Sequence, residues 1–314
     1  MSRPGVVVIG YRRADSLQVV LESIPKNGVS DLLVALDGPR GDQDVEDFLS
    51  VRAVAHSMLD RWKGRGQLYV QKSNVGSAVN VLSSVSLSLR RNPSTIVLED
   101  DCIPSTDFWS FTSAMLQRYE SDRNILCVCG SQLATGVARD CSHLVSDHPL
   151  LWGWATWRSK WCDVVRLLSS YLVSERVPRL ASASPSERAY WRSGYRRSCG
   201  GFVDAWDIPL QAIMLEHGYK AVLPTSNLVT NTGNDGRATH VSVDSPWTGI
   251  PTAFWNRLGR DPHARDNAEV TKWLQDHVYR IRRRHVISTA LSHVLDLMGL
   301  RRRTRHQLRD RLAL

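Results

Sequence analysis

Cysteine pairs in metal-knuckle spacing are missing from this chain. Its six cysteines, Cys102, Cys127, Cys129, Cys141, Cys162 and Cys199, show no Cys-x-x-Cys repeat and no clustered histidine partners. That excludes a zinc knuckle and a disulfide framework and leaves reduced, mostly buried thiols as the expectation. Long apolar runs are missing too: none approaches the roughly 18 residues that a membrane-spanning helix needs. Met1 to Gly5 leads straight into Val6-Val7-Val8-Ile9 without a signal-peptide pattern, so a cytoplasmic protein is expected. No internal repeat is visible, and Gly64-Arg65-Gly66 lacks the Lys-Ser/Thr that a phosphate-cradling P-loop requires.

An excess of charge of one sign is missing over most of the chain. Residues 262–314 hold 12 Lys/Arg against 5 Asp/Glu, a surplus of 7 out of the net +9, which leaves the first 261 residues nearly neutral. The pI of about 9.5 therefore describes a basic tail and says little about the ligand of the main domain. At 314 residues with 42% hydrophobic content, the chain can bury one large core or two smaller ones.

What is present is an alternation. Apolar bursts of strand length occur at Val6–Ile9, Leu32–Leu36, Leu68–Val70, Thr95–Leu98 and Ile125–Val128. Helix-like stretches lie between and after them, at Ser16–Ile24, Asp44–Arg61, Ser77–Arg91 and Asp107–Tyr119. This predicts an α/β fold with a mostly parallel central sheet flanked by helices, whose ligands bind beyond the carboxyl ends of the strands. Tyr11-Arg12-Arg13, Asp37-Gly38, Asn74 and Glu99-Asp100-Asp101 each follow a predicted strand, so independent segments bring polar groups to one rim. From about residue 145 the texture changes, and eight of the eleven tryptophans lie at 152, 154, 157, 161, 191, 206, 247 and 255. Trp157 and Trp161, at helical spacing, suit core packing. Trp152 and Trp154 flank Gly153 and offer indole faces to a sugar ring. Ala181–Ser186 reads as a mobile surface loop.

The acidic triplet is the most informative feature. Like charges side by side repel and raise one another's pKa, so a fold keeps them together when they are solvated or when a cation such as Mg²⁺ or Mn²⁺ neutralises them. A solvated acidic turn is the plainer alternative.

Taken as an ordered set, Asn74-Val75-Gly76, Leu98-Glu99-Asp100-Asp101-Cys102-Ile103-Pro104, Trp152-Gly153-Trp154-Ala155-Thr156-Trp157-Arg158, Trp206-Asp207, and Asn227–Asn231 followed by Ala238-Thr239-His240 make the chain resemble a nucleotide-sugar glycosyltransferase of the GT-A fold. It is similar to the bacterial hemolytic-protein-like glycosyltransferases and, more distantly, to the N-acetylglucosaminyltransferase I type. The resemblance covers roughly residues 5–245. It implies a GT-A domain over 1–261, with a nucleotide-sugar-binding half (1–145) and an acceptor half (146–261), followed by a basic helical extension at 262–314.

The resemblance also implies roles. The triplet stands where the family carries its DxD motif, which makes Asp101 the ligand of Mn²⁺ or Mg²⁺ and sets Glu99 and Asp100 toward the donor ribose and sugar. Arg13 matches a position that touches nucleotide phosphates or base. Asp37 matches an acid that accepts from a uracil imide, although Asp37-Gly38-Pro39 is equally a turn sequence. Asn74, with Gly76, lets the backbone approach the nucleotide, and the start of the Ser77–Arg91 helix is a place for a phosphate. Asp107 reads as an N-cap. Asp207 corresponds to the catalytic base of an inverting transfer, with Asp204 as an alternative base and helix capping as an alternative role. Trp152 and Trp154 would bind the acceptor. His240 would approach the metal or the diphosphate, or serve only as a hydrogen-bonded side chain.

The activity implied is metal-dependent transfer of a sugar, a hexose or N-acetylhexosamine, from a UDP-linked donor to a saccharide or lipid-linked acceptor, as in cell-envelope polysaccharide or glycolipid synthesis. No nucleic acid is expected as a partner. Arg280, Arg282, Arg283 and Arg284 precede the apolar segment Val286–Leu300, and Arg301-Arg302-Arg303 follow it. That pattern suits peripheral contact with an anionic inner membrane face, or a terminal helix with a solvated basic end. Two rival readings remain open. A sugar-phosphate nucleotidylyltransferase would show a Gly-rich N-terminal loop with Arg and Lys, where Val8–Arg13 has one glycine and no lysine. A non-catalytic membrane- or RNA-binding protein would explain the tail and leave the carboxylates unexplained.

Overall fold

The computed structural model describes residues 3–26, 28–134, 136–200, 204–233 and 246–281. The first part of the chain alternates strand and helix: β1 (Gly5–Gly10), α1 (Ala14–Glu22), β2 (Asp31–Leu36), α2 (Val45–Asp60), β3 (Arg65–Val70), α3 (Ser77–Arg91) and β4 (Ser94–Glu99). After it come β5 (Cys102–Pro104), α4 (Thr106–Arg118), β6 (Ile125–Cys129), β7 (Leu144–Ser146) and β8 (Trp154–Trp157). The chain then runs through α5 (Arg158–Val173), α6 (Pro185–Cys199), α7 (Asp207–His217), β9 (Lys220–Leu223), β10 (Val229–Asn231) and α8 (Ala264–His277).

Eight strands form one sheet in the order β3-β2-β1-β4-β8-β6-β9-β7. The first four are mutually parallel, β8 runs antiparallel between β4 and β6, β9 is parallel to β6, and β7 is antiparallel at the edge. The expected mostly parallel α/β fold is what forms. Strands β1 and β2 are buried along their whole length, which explains why they read as continuous apolar runs rather than alternating ones. Successive residues still serve opposite faces. Val7, Leu33 and Val97 pack with α3, α5, α7 and α8, whereas Val6, Val8 and Leu98 pack with α1, α2 and α4. The result is three layers with a core on each side of the sheet.

Strand order reverses between β1 and β4. From β1 the chain steps outward through β2 and β3, and from β4 it builds the other way. The register Ile9↔Glu99 brings the end of β1 level with the acidic triplet, at the switch point where open α/β sheets leave a crevice. Immediately beyond β4, β5 and β10 pair antiparallel, with Asn231 opposite Cys102.

Several expectations need correction. Strand β3 begins at Arg65, three residues before the predicted Leu68. Trp157 ends strand β8 and only Trp161 is helical, although both are core residues, with Nε1 donating to Leu116 O at 3.0 Å and to Ser86 Oγ at 2.9 Å respectively. The surface-loop reading of Ala181–Ser186 holds only to Ser184, whose Oγ caps α6 by accepting from Glu187 N. Ser105, not Asp107, occupies the N-cap of α4, and Asp107 accepts from Trp255 N at 3.0 Å instead.

The boundary at residue 261 also moves. Helix α8 buries Val270 and Leu274 completely, its Asn267 side chain accepts from Val145 N, and Tyr279 beyond it donates to Pro149 O. Residues 264–281 thus belong to the domain, and the remainder of the expected extension lies outside the described residues. Likewise β8 and β9, from the expected acceptor half, sit inside the common sheet. Replacing Leu274→Ala should cost about 2–5 kcal/mol in urea unfolding, as for a fully buried leucine. A change near zero would show α8 to be a detachable appendage.

Candidate functional site

Past the ends of β1 and β4 lies a cleft of about 520 Å³, whose lining includes Arg13, Glu99, Asp100, Asp101, Trp152, Tyr190, Trp206 and Asp207. Asp100 and Asp101 are buried and would repel, yet a single guanidinium nitrogen holds both: Arg13 Nη2 lies 2.6 Å from Asp100 Oδ1 and 2.9 Å from Asp101 Oδ2. Tyr11 N donates to the other Asp100 oxygen at 3.2 Å. Asp101 Oδ1 accepts from Asn231 Nδ2 at 3.3 Å, and Asp101 O accepts from Thr232 N at 2.8 Å. Gly233 completes this wall, since a Cβ there would collide with Asp101 Oδ2.

Arg13 does not balance all of this negative charge. Burial, then the charges of Asp101, Asp100 and Asp207, push Glu99 up to about 8. Burial also raises Asp100, to about 6, against the opposing pull of Arg13. Glu99 therefore holds its proton more tightly than an ordinary carboxylate.

Of the two readings given for Asp37, its contacts are those of the turn. Its carboxylate accepts from Gly38 N (2.8 Å), Val75 N (2.9 Å), Asn74 Nδ2 (2.9 Å) and Gly76 N (3.0 Å). Four donors fill the acceptor positions of a carboxylate, so none remains for a base imide. The residue instead locks the Asn74 loop onto the end of β2. Burial raises its pKa and these backbone donors pull it back. Asn74 faces the cleft with its amide committed to Asp37 and to Gly38 O.

Asp204 is likewise reassigned. Its carboxylate accepts from Ser77 N at 2.7 Å and Ala78 N at 3.1 Å, capping α3 across 127 residues of sequence. Gly76 occupies the N-cap position of α3 at φ +82°, and a Cβ there would come within 2.9 Å of Asp204. A cap supplied from elsewhere needs that bare backbone. The start of α3, expected as a phosphate site, is thus already occupied by a carboxylate, and Asp204 is engaged as a cap rather than poised as a base.

Asp207 opens α7 and is exposed to the cleft, while Trp206 takes the N-cap position. Its charge reaches the aromatic wall. Burial raises both Tyr190 and Tyr279, and Asp207 adds to each shift. Of the two tryptophans expected to bind an acceptor, Trp152 is half-buried and lines the cleft. Trp154 does not. It is 1% exposed and stacks on Trp206 at 5.4 Å between ring centroids, because β8 is an interior strand. His240 lies outside the described residues.

Sequence reasoning brought Tyr11 to the rim without giving it a role, and it missed other cleft residues. Tyr11 donates to Asp44 Oδ2 at 2.6 Å, and Arg12 and Arg40 stack over its ring at 5.3 and 5.5 Å. Its pKa is pushed up to about 12, by burial and then by Asp44. Its place directly after β1 was the available signal. Asn231 was visible only as part of a motif, and for Tyr190, Gln211 and Tyr279 no local signal exists.

The resemblance implies a divalent cation. Among the described residues no three His, Cys, Asp or Glu side chains converge on one point. A cation shared with a diphosphate needs only one or two protein carboxylates, and hard oxygen donors suit Mg²⁺ and Mn²⁺. Asp100 and Asp101 are two buried carboxylates sharing one guanidinium nitrogen, so the donor set is oxygen-rich and anionic. The residues fit such a cation, with Asp101 and its neighbours as the donors.

No family model matches this chain, and no curated protein does. Among solved structures it is distantly similar to a 4-diphosphocytidyl-2C-methyl-D-erythritol synthase from Anaerococcus prevotii, with a TM-score of 0.36 and 8% identity over 55% of this chain and 79% of that one. It is also distantly similar to the WbbM bifunctional glycosyltransferase in its apo form, with a TM-score of 0.33 and 9% identity over 54% of this chain and 35% of that one. No residue role follows from likenesses at this level.

The capping role of Asp204 is open to direct test. Asp204→Ala should destabilise the protein by about 1–2 kcal/mol in chemical denaturation, the value of a helix cap. Unchanged stability would remove the cap assignment.

Proposed function

We propose that this protein transfers a sugar from a nucleoside-diphosphate sugar, a UDP-linked one, to a hydroxyl of a saccharide or lipid-linked acceptor, with inversion and with the help of a divalent cation. The observation that carries the reading is the meeting, in one cleft at the switch point of the sheet, of the Arg13–Asp100–Asp101 cluster with Asp207 and an aromatic wall. The reading takes the triplet as the counterpart of the DxD motif of a GT-A-type enzyme.

In this reading Arg13, at the turn between β1 and α1, receives the diphosphate, exchanging a carboxylate partner for a phosphate. Asp101, with Asp100 beside it, holds the cation, and the cation when bound stabilises the charge that grows on the diphosphate leaving group. Glu99 faces a hydroxyl of the donor ribose or sugar. Asp207 takes the proton from the acceptor hydroxyl as its oxygen attacks the anomeric carbon. A carboxylate acting on the acceptor, opposite the leaving group, gives a single displacement and an inverted product. The expected contact of the tail with an anionic membrane falls on residues outside those described.

Two measurements test this. Asp101→Asn, if folded, should lose metal-dependent donor turnover by roughly a hundredfold or more, the scale of removing a main stabiliser of transition-state charge. Retained turnover would take Asp101 out of the site. Asp207→Asn should abolish transfer while leaving UDP affinity, read by calorimetry, within about twofold of the parent, because the base acts on the acceptor. NMR of the product showing a retained anomeric configuration would contradict the single displacement.

A further inference from the structure

Residues 172–199 hold six arginines and two acids, Glu175 and Glu187, although the first 261 residues together are close to neutral. Glu187 is turned inward, with Oε1 at 3.3 Å from His148 Nε2 and 3.0 Å from Gln275 Nε2, which leaves Glu175 as the one exposed acid of the segment. Arg188, Arg192 and Arg196 stand at i, i+4 and i+8 on α6, beside the buried row of Glu187, Trp191 and Tyr195. They form a stripe along one flank of the helix. Arg176 and Arg179 reach the same surface from the chain between α5 and α6. Both act on Tyr171, whose hydroxyl donates to Glu216, and the charge of Glu216 also reaches Arg192. Burial and then the charges of Arg196 and Arg188 lower the pKa of Arg192, with Glu216 alone opposing them. Glu216 is already engaged by Tyr171 and by Leu180 N at 2.6 Å, and among the described residues no carboxylate forms a salt bridge with any of these five arginines.

Next to them α5 ends in two exposed apolar side chains, Leu172 at 51% and Val173 at 88%. This exposure is not slack in the chain. The connection to α6 is pinned by the buried Leu180, by Glu216, and by Arg188, which donates to Leu180 O, Ala181 O and Ala183 O at 3.2, 3.2 and 3.1 Å. A cationic stripe beside fixed apolar side chains matches a partner with anions at its face and hydrocarbon beneath. A nucleic acid backbone would leave Leu172 and Val173 in water, and its bases would need exposed rings to stack on, whereas Tyr171, Trp191 and Tyr195 are all buried. None of the five arginines lines the cleft.

We propose that the arginine flank of α6 and the end of α5 form a docking surface for an anionic lipid bilayer, the arginines on the headgroups and Leu172 and Val173 in the apolar layer beneath them. The surface belongs to the folded domain and is separate from the basic residues at the end of the chain. It goes beyond the glycosyl-transfer reading and does not depend on it. Helix α6 also carries Tyr190 to the cleft, so the element that docks is at the same time part of the lining of the site.

The test sediments the full chain with vesicles of equal parts phosphatidylcholine and phosphatidylglycerol, and with vesicles of phosphatidylcholine alone. The chain should bind the first and not the second, and about 0.5 M NaCl should release it, because screening weakens the attraction. Residues 282–314 stay unchanged in every variant, so a loss of binding reports the α5 and α6 surface. Arg192→Gln with Arg196→Gln should weaken binding roughly thirtyfold, at about fivefold for each arginine withdrawn from an anionic surface. Leu172→Ser with Val173→Ser should weaken it about tenfold. Thermal unfolding confirms that each pair is folded; if Arg192→Gln lowers the transition, Arg179→Gln with Arg196→Gln, both at exposed positions, takes its place. The surface is overturned if the parent ignores the anionic vesicles, or if either folded pair binds them as the parent does. It is also overturned if a single-stranded RNA oligonucleotide displaces the vesicles and needs the same arginines. UDP titrated into the parent and both pairs should give one affinity. UDP that fails to bind the parent would overturn the transfer reading and leave the docking surface standing, whereas UDP binding without vesicle binding would do the reverse.

Discussion

Two aspartates in sequence at the end of a buried strand can coexist only if something positive lies between them, and Arg13 supplies it at 2.6 and 2.9 Å. Charge-assisted hydrogen bonds of this kind are short and strong. The desolvation they must overcome is large, so the pair is held by its surroundings as much as by its own attraction. The surroundings are the parallel pairing of β1 with β4. Because Ile9 stands opposite Glu99, the residues that follow each strand emerge at the same level, and the turn into α1 delivers Arg13 to the triplet. The same confinement explains why Glu99, with less of the cation's influence, is raised to about 8.

Two further carboxylates shape the cleft without facing its chemistry. Asp37 gathers four donors from its own turn and from the Asn74 loop, joining the ends of β2 and β3. Asp204 reaches from the segment before α7 to the first N–H groups of α3. The latter link ties the segment that carries Trp206 and Asp207 to α3, so the position of the candidate base depends on a cap 127 residues away in sequence. A helix start satisfied by a protein carboxylate has less to offer an anion, and the positive groups that line the cleft among the described residues are Arg12, Arg13 and Arg40.

The aromatic wall forms by the same kind of long-range assembly. Tyr190 and Trp191 come from α6, Trp206 from the segment before α7, and Tyr279 from the chain after α8. Helix α8 is drawn in because Val270 and Leu274 complete the core on its face of the sheet, and this carries Tyr279 to the cleft. Charge counting alone assigned α8 to a basic tail. Its buried stripe decides otherwise, since apolar burial outweighs the solvation of a few surface charges.

Strand and helix periodicity, the strand-end positions of Arg13, Asn74 and the acidic triplet, and the helix that begins at Asp207 were all legible in the sequence, because each depends on neighbours within a turn or two. The mostly parallel sheet followed from the alternation of elements. The tertiary structure alone decided which strand-end groups face one another. It placed Arg13 between two carboxylates, filled Asp37, turned Asp204 into a cap, and buried Trp154 while leaving Trp152 in the cleft. Those outcomes depend on strand order and register, and a chain read in one dimension does not record which of its distant segments will compete for the same hydrogen bond or the same place in the core.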